Sequence, residues 1–337
     1  MMNFYKILFF NTMIIGTMIS ISSLTWLTSW IGLEINLLSI IPLMKNHKNK
    51  YSTEATLKYF ITQVMASILL IFSIIIFTNS KNFSSSEIAT STSILVTSAL
   101  MMKMGAAPLH FWLPEVTSGM NWEMIYIILT WQKIAPMILL TYTVLNTMFL
   151  SFFIISSSII SGLQSLNQTC FRKILTYSSI NHVSWMISAI MNSSMIWLYY
   201  FIIYMILNFN IIIILKKYNI YFINQLLKML SFNKNLKLFF SLNFLSLGGL
   251  PPFLGFFPKW LTINLMTKNN FYFLSIIMII FTMISLFIYL RVSFSMLIIN
   301  TDESLLMNFK KTSYTQFFIN LVSIFGLMFC IILSNYM

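Results

Sequence analysis

Residues 100–119 read Leu-Met-Met-Lys-Met-Gly-Ala-Ala-Pro-Leu-His-Phe-Trp-Leu-Pro-Glu-Val-Thr-Ser-Gly. The stretch places Lys103 inside an apolar run that is long enough to cross a membrane, and Gly105 and Pro108 then interrupt the helix. A charge at the centre of a bilayer costs roughly 2.5–3.5 kcal/mol on insertion scales. A broken helix at that depth is tolerated only where it is buried in protein or lines a cavity. Because both costly features coincide, this stretch predicts a buried functional site.

The composition places the whole chain in a membrane. Of its 337 residues, 58% are hydrophobic and only 8% are charged, whereas a soluble domain carries about 25% charged residues. Repeated apolar runs of about 20 residues indicate helical spans. Runs such as residues 68–77 lack the alternation that is typical of a transmembrane β-strand. We therefore predict an all-α polytopic membrane protein.

The apolar runs predict about eleven transmembrane helices. They lie near residues 3–23, 26–44, 57–78, 91–119, 123–145, 147–166, 171–191, 194–215, 237–267, 271–291 and 315–335. The fourth and the ninth are too long for one span, contain glycine and proline, and are predicted to be broken helices. Because these two are five segments apart, residues 1–146 and 147–292 are predicted to form inverted five-helix repeats. Residues 293–337 then supply a loop and a final helix of the single membrane domain.

The distribution of basic residues supports this count. If the N-terminus lies on side A, fifteen of the 20 lysines and arginines lie on that side, and only Lys81 and Lys268 lie on side B. The other three are within segments. This asymmetry follows the positive-inside rule, so side A is the cytoplasm-like side and the C-terminus lies opposite. The formal net charge of +13 therefore reflects topology, and no nucleic-acid partner is expected.

Four ionisable residues within the segments form the candidate site, because unpaired charges in a membrane are costly. They are Glu34, Lys103, Lys133 and Lys259 in segments 2, 4, 5 and 9. Helix breaks are predicted beside the lysines, at Gly105, Pro108, Pro136, Gly248, Gly249, Pro251, Pro252 and Pro258. For each lysine the alternative is snorkelling to a membrane interface. For Glu34 the alternative is a neutral, hydrogen-bonded carboxyl group with a structural role.

The histidines and cysteines add less. His182 in segment 7 and His110 after the first break suit a proton relay, because histidine titrates near neutral pH; each could equally be a hydrogen-bonded core residue. Cys170 and Cys330 imply neither a disulfide framework nor a metal site. The sequence has no phosphate loop, dinucleotide fingerprint, iron–sulfur cysteine cluster or haem pair, so redox chemistry in this chain is not expected.

One carboxylate and three buried lysines predict a proton path parallel to the membrane plane. Burial disfavours the charged form of a lysine, whereas a nearby carboxylate favours it. Glu34 and Lys103 are therefore predicted to form a switchable pair. While the two are paired, Lys103 holds its proton. When Glu34 moves or is neutralised, the proton passes towards Lys133 and Lys259, and the helix breaks admit water.

Five stretches of the chain resemble a known family: residues 30–42, 58–63, 103–116, 131–136 and 248–260. They are similar to the chain 2 family of NADH–ubiquinone oxidoreductase, the antiporter-like membrane subunits of respiratory complex I, and the resemblance covers nearly the whole chain. In that family the residues that match Glu34, Lys103, Lys133 and Lys259 are the proposed proton-path residues. His182 matches a polar position of the family.

The resemblance implies a subunit of a proton-translocating NADH:ubiquinone reductase that does not catalyse the reaction alone. It implies no cofactor in this chain, since FMN, iron–sulfur clusters and ubiquinone belong to other subunits. Expected partners are chains 4, 4L and 6, accessory subunits and the lipid bilayer. The expected location is the mitochondrial inner membrane, with the N-terminus in the matrix and the C-terminus in the intermembrane space. Two alternatives stay open: a stand-alone cation/proton antiporter, and a structural membrane subunit with inert buried charges.

Overall fold

The computed structural model describes residues 4–45, 49–80, 86–143, 146–225, 234–251 and 253–298, together with Asn320, Leu321 and Gly326. The helices in these ranges are α1 (Phe4–Ile21), α2 (Trp26–Met44), α3 (Lys50–Ser80), α4 (Ser86–Met104), α5 (Trp112–Gly119), α6 (Trp122–Leu129), α7 (Trp131–Thr141), α8 (Thr147–Ser165), α9 (Phe171–Asn192), α10 (Ser194–Tyr218), α11 (Lys234–Gly248), α12 (Phe256–Lys268) and α13 (Tyr272–Ile298). The prediction of an all-α polytopic membrane fold is confirmed.

Seven helices in the described ranges are long and apolar enough to cross a membrane. They coincide with predicted segments 1, 2, 3, 5, 6, 8 and 10, and the α6–α7 pair counts as one span. Segments 4 and 9 are each split into two helices, α4 with α5 and α11 with α12. Segment 7 is α9, which is rich in polar residues. Segment 11 lies almost entirely outside the described residues, so the count of eleven stays a prediction.

The chain forms two compact units, Met1–Ser157 (unit 1) and Ser158–Met337 (unit 2), and the boundary between them falls within α8. This division reflects which helices pack against each other and does not test whether the two halves are repeats. The repeats predicted at residues 1–146 and 147–292 stay a prediction.

In unit 1, α1 and α2 approach each other closely at two glycines. A Cβ atom on Gly32 would lie 2.6 Å from the backbone nitrogen of Ser20, and one on Gly16 would lie 2.8 Å from that of Asn36. Small residues allow such close approach between helices in membranes. The α3 helix packs against α2, α4 and α5, and α4 packs against α7. The helices that carry Glu34, Lys103 and Lys133 therefore belong to one packed unit.

In unit 2, α9 is the central helix. Every residue from Ile174 to Ile190 is buried, although many of them are polar. Its hydroxyl groups bond to carbonyls of their own helix, as Ser178 does with Leu175 at 2.7 Å, so burial leaves them satisfied. The α10, α12 and α13 helices pack against α9, and α11 packs against α10 and α13. This arrangement brings the helices that carry His182 and Lys259 into contact.

Candidate functional site

A C-cap at Gly105 ends α4 directly after the lysine. Gly105 has a φ of 73°, in the left-handed region that glycine adopts without a steric cost. Its N–H donates to the Met102 carbonyl at 3.2 Å, and the Ala106 N–H donates to the Met101 carbonyl at 3.0 Å. This pair of bonds defines a Schellman motif. Lys103 is therefore the last residue but one of α4, and Pro108 lies in the turn that follows.

Two neutral groups donate to the carbonyls at this helix end. Trp112, the first residue of α5, donates from Nε1 to the Met102 carbonyl at 3.1 Å. Gln63 of α3 donates from Nε2 to the Lys103 carbonyl at 3.4 Å. The last carbonyls of a helix lack partners within the helix and carry the negative end of its dipole. In unit 1 the Met102 and Lys103 carbonyls thus accept from neutral side chains.

Glu34 lies near the middle of α2, and its neighbours Leu33, Asn36 and Leu37 line the same cavity as Lys103. Its Oε1 atom is buried and has no hydrogen-bond partner within the described ranges. Among the described side chains no ion pair shorter than 4.0 Å joins Glu34 to Lys103. Glu34 and Lys103 are therefore not in direct contact, and any interaction between their charges acts through space. At low dielectric such an interaction changes steeply with separation, so a small movement of either group alters the energy of both.

Lys133 is the third residue of α7 and only 1% exposed. The predicted break at Pro136 is not where this segment is interrupted, because Pro136 lies inside α7. The interruption lies at Thr130, whose carbonyl accepts from the Lys133 N–H at 3.1 Å. The carbonyl that the proline leaves free belongs to Gln132, in the first turn of α7, and the helix continues past it to Thr141.

In unit 2 the same cap ends α11. Gly249 has a φ of 79°, its N–H donates to the Ser246 carbonyl at 3.0 Å, and the Leu250 N–H donates to the Leu245 carbonyl at 3.4 Å. Gly248 is the last residue of α11, and Pro251 lies in the turn. The predicted break at Pro252 lies outside the described residues. Pro258 does not break a helix, because it lies in the first turn of α12, where its missing N–H would have no partner within the helix.

Lys259, the fourth residue of α12, binds the end of α11. Its Nζ atom donates to the Gly248 carbonyl at 2.9 Å and to the Leu247 carbonyl at 3.5 Å. The Trp185 ring of α9 lies 6.0 Å from Nζ, at the outer limit of a cation–π contact. The ammonium group is therefore held at the negative end of the α11 dipole. Lys103, Lys133 and Lys259 are 6%, 1% and 7% exposed, so snorkelling fits none of them.

The two histidines lie in different surroundings. His182, on α9, has its Nδ1 atom 2.8 Å from the Tyr200 hydroxyl, and its ring contacts that of Tyr204. His110 is fully buried in the turn after α4, with its Nδ1 atom 3.3 Å from the Pro108 carbonyl. Only His182 lies on a helix that packs against a lysine-bearing helix of its own unit.

A polar cluster surrounds a small cavity beside Lys103. Asn36 and Gln132 exchange two hydrogen bonds, with Asn36 Nδ2 donating to Gln132 Oε1 at 3.0 Å and Gln132 Nε2 donating to Asn36 Oδ1 at 2.9 Å. The Tyr59 hydroxyl donates to Gln132 Oε1 at 3.4 Å. The cavity has a volume of about 10 Å³, near the lower limit for one water molecule. Its lining comprises Leu33, Asn36, Leu37, Tyr59, Gln63, Lys103, Gln132 and Pro136.

Five polar or aromatic residues around the cavity and the end of α4 were not among the predicted site residues, namely Asn36, Tyr59, Gln63, Trp112 and Gln132. Each lies in a stretch that already contained a predicted residue or a family motif. The available signal was an amide or hydroxyl side chain within an apolar run, because such groups bond across helices in membranes. Within the described residues, no group of three or more His, Cys, Asp or Glu side chains is placed to hold a metal ion.

A polytopic helical fold with buried lysines beside helix breaks is typical of ion-translocating membrane proteins. Comparisons with known proteins point to the same class. The profile of the NADH:quinone oxidoreductase/Mrp antiporter transmembrane family matches residues 23–285. The chain belongs to the NADH-ubiquinone oxidoreductase chain 2 family. Members from Anopheles gambiae and Locusta migratoria are 44% and 42% identical to it. The first alignment covers 95% of both chains, and the second covers 99% of this chain and 98% of the relative.

Solved structures share the fold at lower identity. A chain of respiratory complex I from Thermus thermophilus matches with a TM-score of 0.85 and 20% identity, covering 95% of this chain and 76% of that one. A chain of the Mrp complex from Dietzia sp. DQ12-45-1b matches with a TM-score of 0.72 and 13% identity, covering 83% and 58%. At these identities the matches establish the fold alone.

Proposed function

We propose that this chain is a core membrane-arm subunit of a proton-pumping NADH:ubiquinone oxidoreductase and that it carries an antiporter-like proton path. The chain 2 relatives, which align over most of their length, support the first part. One observation carries the second part. In unit 1 the buried Lys103 lines a cavity together with Asn36, two residues after Glu34, and Gln132, directly before Lys133. That arrangement suits a charge whose proton affinity is meant to change.

In this proposal Lys103 holds a proton while Glu34 stays close and releases it when the carboxylate moves or is neutralised. Lys133 is the acceptor within unit 1, since α4 packs against α7. Lys259 and His182 form the corresponding station of unit 2, on the packed helices α12 and α9. The α11 carbonyls bind the Lys259 ammonium group. This contact supports a role in which the side chain stays bound while it is charged and leaves when it loses its proton.

Family membership supports the finer parts of the proposal. NADH oxidation, FMN, iron–sulfur clusters and ubiquinone belong to other subunits, so the isolated chain catalyses no reaction. Chains 4, 4L and 6 and accessory subunits are its neighbours in the mitochondrial inner membrane. The excess of basic residues on side A supports an N-terminus in the matrix and a C-terminus in the intermembrane space.

The decisive variant is Lys103→Met, in which an apolar side chain of similar length cannot carry a proton. In the assembled complex, reconstituted into sealed vesicles, we expect proton translocation driven by NADH to fall by at least ~100-fold, in the usual range for a lost proton donor or acceptor. The matched control is Lys268→Met, because Lys268 is exposed at the end of α12. Full translocation by the Lys103 variant would refute the proton path.

Two other functions remain to be separated from this one. The family profile also includes Mrp antiporters, so a stand-alone cation/proton antiporter is the second candidate. Migration of the native chain only as a small assembly would favour it over a complex I subunit. A structural subunit with inert charges predicts that Lys133→Met leaves both assembly and proton pumping intact, whereas the proton path predicts that pumping is lost while assembly is kept.

A further inference from the structure

The reciprocal amide pair of Asn36 and Gln132 lines the same cavity as Lys103. Asn36 is on α2, two residues after Glu34, and Gln132 is on α7, directly before Lys133. The pair therefore joins the helix of the controlling carboxylate to the helix of the acceptor lysine. Among the described residues, those that line the cavity include Lys103 and Gln132 but not Lys133. The amide pair thus borders the cavity beside Lys103, and its α7 member directly precedes Lys133 in the chain.

The closed pair is a poor conductor of protons. In an amide side chain the oxygen is the acceptor and the NH₂ group is the donor, and here each of these groups already bonds to its counterpart. At about 10 Å³ the cavity is near the lower limit for one water molecule, so a water chain would need the amides to separate. A proton that leaves Lys103 through this cavity meets only the paired amides and the Tyr59 hydroxyl among its polar lining groups besides Gln63, and the Tyr59 proton is already donated to Gln132 Oε1.

We propose that the Asn36–Gln132 pair is a gate on the proton path of unit 1 and that it opens when water inserts between the two amides. This inference rests on the proposed proton path. With the gate open, the Lys103 ammonium group gives a proton to water, and the Tyr59 hydroxyl, which can donate and accept, passes one on. The neutral amine of Lys133 receives it. The net result is a neutral Lys103 and a charged Lys133, and nothing else is consumed.

Opposite changes at Gln132 test the gate. Gln132→Leu replaces the amide by an apolar side chain of similar size that water does not enter, so we expect translocation driven by NADH to fall at least ~tenfold. Gln132→Ala removes the closure, so we expect passive proton leak through the resting complex to rise. Both are measured in the assembled complex in sealed vesicles, with a pH-sensitive dye, with and without NADH. A merely structural role would lower the amount of assembled complex and would not raise the leak per complex.

Two further variants test the gate even if Gln132→Leu misfolds. Gln132→Asn alone shortens one partner and separates the amides, whereas Asn36→Gln combined with Gln132→Asn restores the summed length. We expect the single change to raise the leak and the double change to return it towards the wild-type value. The control is Asn269→Ala, which removes an exposed amide pair with Asn192 (2.6 Å) and should leave leak and pumping unchanged.

The outcomes separate the gate from the path. If Lys103→Met stops translocation while all Gln132 variants pump and leak like the wild type, the gate is overturned and the path stands. If Lys103→Met itself pumps normally, both proposals fall. Reduced pumping in Gln132→Leu together with increased leak in Gln132→Ala supports the gate. If Gln132→Leu does not assemble, the other two variants decide. An increased leak in Gln132→Asn that is lost in the double variant supports the gate. An unchanged leak in both variants overturns it.

Discussion

The two broken helices end on the same cap and differ in what binds it. α4 in unit 1 and α11 in unit 2 each stop at a glycine with a positive φ and with the same pair of backbone bonds. In unit 1 the free carbonyls accept from the neutral side chains of Trp112 and Gln63. In unit 2 they accept from the ammonium group of Lys259. The matching caps support the predicted internal repeat, which we retain as a proposal.

The position of the lysine relative to the break explains this difference. Lys259 follows the break, so its side chain reaches back to the carbonyls of the preceding half-helix, where a cation is stabilised. Lys103 precedes the break and belongs to the helix that ends there, and neutral donors already occupy two of the last carbonyls. Its side chain instead lines the cavity beside Asn36 and Gln132. One lysine binds the carbonyls at a helix end, and the other lies beside a cavity that neutral amide side chains also line.

The largest effect is expected from Lys259→Met. The change leaves the Gly248 carbonyl without its cationic donor, at a cost of about 1–3 kcal/mol for an unsatisfied buried group. It also removes the proposed proton carrier of unit 2. We expect proton translocation in the reconstituted complex to be lost and the yield of assembled complex to fall.

Lys259→Arg is the matched control for this prediction. Arginine keeps the charge and the donors but does not release a proton in proteins. We expect it to restore assembly without restoring translocation. Wild-type translocation by the arginine variant would show that Lys259 only caps α11.

A smaller effect is expected from alanine at the two cap glycines. A left-handed backbone costs an ordinary residue about 1–2 kcal/mol, so Gly105→Ala and Gly249→Ala should lower the thermal stability of the complex similarly. Only Gly249 touches a lysine, since its added Cβ would lie 2.8 Å from Cδ and 3.0 Å from Nζ of Lys259. At Gly105 the nearest atom belongs to the apolar Leu113. Gly249→Ala should therefore reduce translocation more than Gly105→Ala.

The neighbouring glycine offers a control for the backbone argument. In Gly248→Ala the added Cβ would lie 3.4 Å from the nearest atom, on the Tyr289 ring, which is an ordinary contact. We expect near wild-type stability and translocation. Equal losses at Gly105, Gly248 and Gly249 would mean that neither the positive φ nor the contact with Lys259 matters.

The broken segments could be predicted from the sequence because glycine and proline beside a lysine in an apolar run are local signals. Lys103 with Gly105, and Lys259 after Gly249, needed no tertiary information. The interruption at Thr130 carries no such signal, since neither glycine nor proline marks it, whereas Pro136 suggested a break that the helix absorbs. Proline is a strong local indicator, but its effect depends on where the helix begins.

The partners within the site could not be predicted, because they are far apart in the chain. Asn36 and Gln132 are separated by 96 positions, and their pairing depends on how α2 and α7 pack. Nothing in the sequence distinguishes an amide side chain that pairs with a distant amide from the many that donate to a carbonyl of their own helix. The burial of Lys133 was expected from its place in a span, but the contact of Lys259 with the end of α11 depends on the three-dimensional turn at Gly249.

The smallest effect is expected from the neutral donors of unit 1. Trp112→Phe keeps the ring and removes the Nε1 donor to Met102, for a loss of about 1 kcal/mol. Gln63→Leu removes a longer bond, of 3.4 Å, and should cost less. Because neither side chain carries a proton, both variants should lower the melting temperature of the complex while the number of protons moved per NADH stays unchanged. A fall in that ratio as large as in Lys259→Met would mean that the two helix ends work alike, whatever the charge of the donor.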